Sequence, residues 1–284
     1  MEAVTYSQPQ WDLVLGGFLL AFLALVAAAV HLLASRGELS TRYRPSSDVG
    51  AVICLVAALS YVLLVVAWVT GFAFDPATST YSPSSAALQF RNTYRYVDWT
   101  VSVPLLTAEL LVVTTLVGRR ASRTRALWVV LAVVMIVTGY VGEAFGGSAT
   151  GLVVWGLVST AAFVPLYVSL LRTGLRSARE LGGSAGANLR RATLMLSWTW
   201  GVYPLAYCVP LLTGGAGWAV GRQLAFDVAD VCAKVAFGVL VHACAKERTA
   251  HDLRAGATTH PEPVHADGEL RAEARPAHPR PAER

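Results

Sequence analysis

Charge is scarce in this chain. Only 14% of its 284 residues are charged, 55% are hydrophobic, and the mean hydropathy is +0.51. Soluble domains carry about a quarter charged residues, so composition excludes an ordinary cytosolic enzyme, a disordered chain and a nucleic-acid module. Lysine is scarcer still: Lys234 and Lys246 are the two lysines among 23 basic residues. Cysteine is limited to Cys54, Cys208, Cys232 and Cys244, in or beside apolar runs and without CxxC or zinc-type spacing. Small core hydrophobes look like this; a disulfide framework or zinc site does not. Of six histidines, His31 and His242 lie near segment ends and the rest fall in the C-terminal region, so no metal site is supported. An internal repeat of the kind found in many secondary transporters is also missing.

What is present is apolar length. A span needs about 20 mainly apolar residues, and seven stretches supply it: about 12–34, 48–72, 92–117, 125–146, 151–171, 188–211 and 219–244. The first follows a polar start and lacks an Ala-x-Ala pattern, so it reads as a retained helix rather than a signal peptide. The connection 73–91, with "FDPATSTYSPSS", is rich in turn formers and suits a small hairpin or an irregular cap. Arginines gather after the first, third and fifth spans, as in Arg36, Arg42, Arg44, Arg119, Arg120, Arg123, Arg125, Arg172, Arg176 and Arg179. Lys246 and Arg248 follow the seventh. The positive-inside bias puts the N-terminus outside and the C-terminus in the cytoplasm. The fold class expected is therefore an all-α membrane protein, a seven-transmembrane helix bundle over residues 1–245. Residues 246–284, balanced in charge and rich in Pro, Ala, His, Glu and Arg, read as a disordered cytoplasmic tail.

Arg95, Asp98, Glu109, Glu143, Asp227, Asp230 and Lys234 fall inside these spans or at their ends. A charge at depth is costly unless paired or neutralised, which makes each one a functional candidate. Glu143 sits at an outer helix end, where a headgroup position also accounts for it. Asp98 and Glu109, eleven residues apart, nearly share an azimuth and stand roughly 16 Å apart along a helix axis. Arg95 and Ser102 lie one turn either side of Asp98, and Asp227, Asp230 and Lys234 form a stripe on the seventh span. That is the outline of a proton path. A primary amine forms a Schiff base with an aldehyde, which arginine cannot do. Such a base, protonated, needs a carboxylate counterion, for which Asp98 and Asp230 are candidates. Glu109, in "LLTAELLVV", is expected to rest protonated and to donate later. Trp99, Trp200, Tyr203 and Tyr207 with Gly139 and Gly156 suit an elongated apolar ligand, although each alone is ordinary packing. Pro104 and Pro204 are expected to kink their helices.

At "RYVDWTVSVPLLTAELL", "FDVADVCAKVAFG", "WGVYPLAY" and "GYVGE" the chain resembles the microbial (type 1) rhodopsins, nearest to the eubacterial light-driven proton pumps of the proteorhodopsin and xanthorhodopsin kind. The resemblance implies all-trans retinal on Lys234 as a protonated Schiff base. It implies Asp98 as counterion and proton acceptor, Asp230 as second counterion, Arg95 as gate, and Glu109 as cytoplasmic donor. Ser102 stands where threonine is usual, keeping a hydroxyl for hydrogen bonding near the acceptor. Leu106 occupies the colour-tuning position and implies green absorption. Trp99, Met135, Gly139, Ser159, Thr160, Phe163, Trp200, Tyr203, Pro204 and Tyr207 would complete the pocket.

Three departures stand out. The second span has no histidine to bond the acceptor, and Leu63 is assigned that place. Arg222 lies near a usual proton-release glutamate. Asp227 is an additional acid one turn from Asp230 with no assigned role, for which a solvated place on the outer path is the bland reading. Gly156 matches the glycine that opens a window for a carotenoid antenna in some relatives. The function implied is a light-driven outward proton pump, not an enzyme, in the cell membrane, surrounded by lipid and assembled as a homo-oligomer (trimer or pentamer). Rival readings are a sensory photoreceptor, a pump for another ion, and a seven-helix transporter without retinal.

Overall fold

Inside a bilayer, backbone polar groups have no water to bond, so a spanning chain closes its hydrogen bonds within helices or a barrel. This chain uses helices. The computed structural model describes residues 4–84, 92–212, 214–256, 264–266 and 269–271. The helices are α1 (Gln8–Ser35), α2 (Arg44–Gly71), α3 (Thr93–Val112), α4 (Gly118–Phe145), α5 (Ala149–Leu181), α6 (Gly183–Leu212) and α7. The last runs as α-helix over Ala216–Asp230, as π-helix over Val231–Ala236 and as α-helix again over Phe237–Arg254. Sequence neighbours pack side by side, and α7 closes the ring against both α1 and α6.

Four helices, α1, α2, α4 and α5, are long and apolar enough to cross a membrane by length and composition alone. In α3 and α7 the charge amid the apolar residues is turned inward, whereas the charged residues of α6, Arg190 and Arg191, are exposed near its start. In α3, Arg95, Asp98 and Glu109 are all buried, while Val97 and Val101 on the same helix are exposed. Leu20, Leu59, Leu157, Leu205 and Trp198 likewise show most of their surface outward. A soluble protein hides such side chains, whereas in a bilayer that outer face meets hydrocarbon.

Helix ends depart from the sequence expectation where a breaker, not the membrane edge, stops the helix. The fifth span was expected to end at 171, but α5 continues past Arg172 and Arg176 to Leu181. It stops at Gly182 and Gly183, whose φ values of 63° and 50° lie in the left-handed region. Conversely α3 ends at Val112 rather than 117. There the amides of Val113 and Thr114 turn back to the carbonyls of Leu110 and Leu111. Arg248 of α7 donates from Nη1 to the carbonyls of Val113 (3.0 Å) and Thr114 (2.8 Å), satisfying the open end.

On the side where α1 begins, β1 (Tyr6–Ser7), β2 (Phe72–Asp75) and β3 (Thr80–Pro83) form an antiparallel sheet in the order β1-β3-β2. The hairpin reading of the 73–91 connection is thus realised over β2 and β3, and residues 85–91 lie outside the described residues. Tyr81 stacks on Trp11 with ring centroids 4.4 Å apart.

Residues 246–254, expected to belong to a disordered tail, are helical. The continuation of α7 is anchored: Thr249 and Ala250 are buried, and Tyr43 donates to Asp252 at 2.9 Å. Beyond it, β4 (Val264–Ala266) and β5 (Glu269–Arg271) pair antiparallel across a sequence Asp-Gly, the dipeptide that two-residue hairpins favour. The tail positions 257–263, 267–268 and 272–284 lie outside the described residues.

Candidate functional site

Helical periodicity puts Arg95, Asp98, Ser102 and Glu109 on the inward face of α3, and all four are buried. Facing them, α7 widens into its π-helical stretch around Lys234. Such bulges break the regular hydrogen-bond ladder and recur at functional sites. Lys234 Nζ donates to Asp98 Oδ2 at 2.7 Å and to Asp230 Oδ1 at 2.9 Å. The amine is 2% exposed and both acids are at or below that, so two charges from different helices answer one buried cation.

Asp230 is the hub. Its Oδ1 also accepts from Tyr203 (2.7 Å) and Trp99 Nε1 (3.2 Å), while Oδ2 lies 3.4 Å from Arg95 Nη1. Asp98 keeps fewer bonds. Its Oδ1 and the Ser102 hydroxyl are buried without a hydrogen-bond partner among the described residues. Ser102 lies one turn along α3 from Asp98 and bears on its carboxyl, whose Oδ2 is taken by Lys234 and whose Oδ1 stays open.

Beside the amine runs a cavity walled mainly by apolar and aromatic side chains. It brings together Trp99, Leu106, Met135, Gly139, Ser159, Thr160, Phe163, Trp200, Tyr203, Pro204, Tyr207 and Lys234. Tyr96, Val103, Ile136, Phe226 and Ala233 line it too, and sequence reasoning had not named them. Their apolar type gave no signal apart from packing. Gly156 is not part of the lining. A β-carbon built on it would come 2.9 Å from Tyr207 Cε1, so a larger residue there displaces that ring. Thr160, one turn along α5, both lines the cavity and is exposed on the bundle surface.

Toward the N-terminal end of α3 lies a second charged layer. Arg95 Nη2 donates to Asp227 Oδ1 at 2.6 Å, and the Tyr61 hydroxyl sits 3.1 Å from both Asp227 and Asp230. The guanidinium also stands over the rings of Phe18, Tyr61 and Phe226 at 5.1–5.4 Å. Asp227 is 5% exposed, which corrects the solvated reading: it is the close partner of Arg95. Glu143 is likewise engaged, accepting from Arg222 (2.9 Å), Asn92 (3.0 Å) and Tyr96 (2.9 Å). Tyr61, Gln223 and Asn92 had carried no signal in the sequence beyond polarity within a span. Leu63, assigned the place of a histidine beside the acceptor, points away from the core at 39% exposure. The inward face of α2 is instead Cys54, Ala57, Ala58, Tyr61 and Leu64.

Toward the other end of α3, Glu109 is 1% exposed, and neither carboxyl oxygen has a hydrogen-bond partner among the described residues. Charged, such a group would carry the full cost of burial, so the neutral acid is the form this place accommodates.

An amine at one end of an apolar slot, with two carboxylates against it, is the donor set that a protonated Schiff base of retinal requires. The chain fits the group on that observation. Comparisons agree. A family model described as bacteriorhodopsin-like protein matches residues 16–248. The green-light absorbing proteorhodopsin of gamma-proteobacterium EBAC31A08 is 26% identical over 226 residues, covering 79% of this chain and 83% of its own. The crystal structure of xanthorhodopsin, described as a light-driven ion pump with dual chromophore, is 31% identical. It superposes with a TM-score of 0.80 over 88% of this chain and 99% of that one. A thermophilic rhodopsin is 29% identical, with a TM-score of 0.81 over the same shares. The chain therefore belongs to the bacteriorhodopsin-like proteins, seven-helix retinal proteins of the membrane that act as light-driven pumps or light sensors and not as enzymes.

Proposed function

We propose that this protein is a light-driven outward proton pump. Lys234 holds retinal, Asp98 is the acceptor, Asp230 the second counterion and Glu109 the cytoplasmic donor. Bound retinal supplies a light-triggered change of shape and keeps Lys234 Nζ as the atom from which a proton leaves. The protein residues then set its direction. The proton on Nζ has Asp98 Oδ2 within 2.7 Å, on the side of Arg95 and Asp227. Asp230, held by Tyr203, Trp99 and Arg95, is the better-satisfied acid and keeps its charge, which leaves Asp98 to take the proton. Glu109 lies on the opposite side and returns a proton to Nζ. With the N-terminus outside and the C-terminus in the cytoplasm, as the arginine distribution supports, the net movement is outward.

The observation that carries this reading is the pairing of one amine between two acids with an unbonded, buried Glu109 beyond it. A sensor has no need of that fourth group. In cells of a retinal-supplied host, illumination should acidify the medium, and protonophore or Lys234→Ala should abolish the effect. A pH trace indifferent to light rejects the pump, and failure to form a visible chromophore with retinal favours a transporter of another kind.

A carotenoid antenna is a second element of the proposal, carried by Gly156 beside the exposed, cavity-lining Thr160. Hydroxylated carotenoids should then sensitise pumping, and excitation spectra without any carotenoid band would remove the antenna while leaving the pump. The outward-facing leucines suit lipid and neighbouring copies, with a homo-oligomer expected.

A further inference from the structure

Glu109, once it has given up a proton, must be refilled from the cytoplasm, yet Leu32 and two helix backbones close it off. A β-carbon on Gly50 of α2 would come 2.8 Å from Glu109 Oε1, and one on Gly238 of α7 would come 3.7 Å from it. Leu32 Cδ1 lies within 3.0 and 3.4 Å of the same two positions, and the Leu32 side chain is fully buried. The two glycines thus let the helices close around the carboxyl, and Leu32 plugs the gap.

One turn beyond that plug, the same two helices carry a hydrogen-bonded serine–histidine pair that the pump as described does not use. His242 is four residues on from Gly238, and Ser47 is three residues before Gly50, so both lie on the same faces roughly one 5.4 Å turn further out. The Ser47 hydroxyl and His242 Nδ1 are 2.7 Å apart and both residues are buried. The His31 ring of α1 stands against His242, with centroids 5.9 Å apart and an edge-on tilt, and His31 is exposed. A further turn along α7, Lys246 pairs with Glu38 from the turn after α1. Ser47, His31, Glu38 and Lys246 are the polar and charged groups that face His242 from α2, α1, the following turn and its own helix.

We infer that His242, bonded to Ser47, is the intake relay that returns a proton from the cytoplasm to Glu109. A histidine buried solely to tie α2 to α7 has no need of an exposed second histidine and an acid–amine pair leading outward from it. An imidazole can also accept a proton at one ring nitrogen while releasing one from the other, which neither Ser47 nor Leu32 can do. Its balance is simple: a proton enters at one ring nitrogen, another leaves from the other toward the Glu109 carboxylate, and nothing is oxidised. This rests on Glu109 being the donor, so its test must separate the two ideas.

His242→Gln keeps a side chain able to hydrogen-bond Ser47 but cannot carry a proton. After a light flash, a pH-indicator dye should report release outside at the normal rate and uptake from the cytoplasmic side slowed at least tenfold. The infrared carboxyl band of Glu109, identified by its loss in Glu109→Gln, should recover equally late. Uptake in the variant should follow the proton concentration on the cytoplasmic side with a slope of one decade per pH unit, and millimolar imidazole should restore the rate. His31→Ala should slow uptake by a smaller factor. Uptake within twofold of the parent in His242→Gln, with an unchanged dark spectrum, overturns the relay. If Glu109→Gln leaves proton return to Lys234 Nζ unaffected, the donor reading itself fails. Should His242→Gln not fold, Ser47→Ala, which frees the imidazole from its hydrogen bond without touching α7, should also slow uptake, and an unchanged rate there overturns the relay.

Discussion

Removing Asp227 tests whether the outer charged layer holds the bundle together. Arg95 is 1% exposed and donates to Asp227 at 2.6 Å, while its contact with Asp230 is longer, at 3.4 Å. At an effective dielectric of about 20, the shorter pair represents roughly 6 kcal/mol of gross attraction and the longer roughly 5. In Asp227→Ala, Arg95 must share Asp230 with Lys234, and Tyr61 loses one of its two carboxylate neighbours. Breaking a buried pair by deleting one partner costs about 3–5 kcal/mol, because the other charge is left under-compensated. For a protein of this size that corresponds to a fall in melting temperature on the order of 10 °C. The assay is far-ultraviolet circular dichroism of the retinal-loaded protein in detergent, heated at constant rate. Asp227→Asn keeps an oxygen that accepts from Arg95, so its loss should be clearly smaller. A melting temperature for Asp227→Ala within about 2 °C of the parent would show the Arg95–Asp227 pair to be energetically neutral and refute the reasoning.

Gly50→Ala places a β-carbon 2.8 Å from Glu109 Oε1 and 3.0 Å from Leu32 Cδ1, closer than such contacts normally come. Overpacking of this order costs about 1–3 kcal/mol. The same thermal melt should show it, and the infrared band of the Glu109 carboxyl should move. Gly156→Trp forces Tyr207 aside, since even a β-carbon would lie 2.9 Å from its ring. It should remove any carotenoid band from the excitation spectrum while light-driven acidification through Lys234 persists. Retention of carotenoid sensitisation in that variant would locate the antenna elsewhere.

Much of the fold and of the site's inner ring was legible from depth and spacing. Seven apolar runs could be counted because each must satisfy its own backbone in lipid. Asp98, Glu109, Asp230 and Lys234 stood out because a charge amid apolar residues has few bland explanations. Partnerships were harder to read. Asp227 looked like a wet outer acid until α3 put Arg95 within 2.6 Å of it, a relation between residues 132 apart in sequence. Leu63 failed because a histidine position was assigned by family pattern, whereas the rotation of α2 decides which side chain faces in. The π-helical stretch at Val231–Ala236 left no mark in composition. Helix ends were misplaced wherever arginines were read as stops, as at the C-terminal half of α5, because arginine is a good helix former and glycine is the breaker.

Splitting buried charge between α3 and α7 also constrains the birth of the molecule. Arg95, Asp98 and Glu109 enter the bilayer with the third helix, but the ion-pair partners of the first two, Asp227, Asp230 and Lys234, arrive only with the seventh, more than a hundred residues later. During synthesis the first six helices therefore hold an arginine and an aspartate without their ion-pair partners, and α7 completes the assembly by supplying them. A nascent chain halted before α7 should stay protease-sensitive until that last segment is supplied, even as a separate peptide.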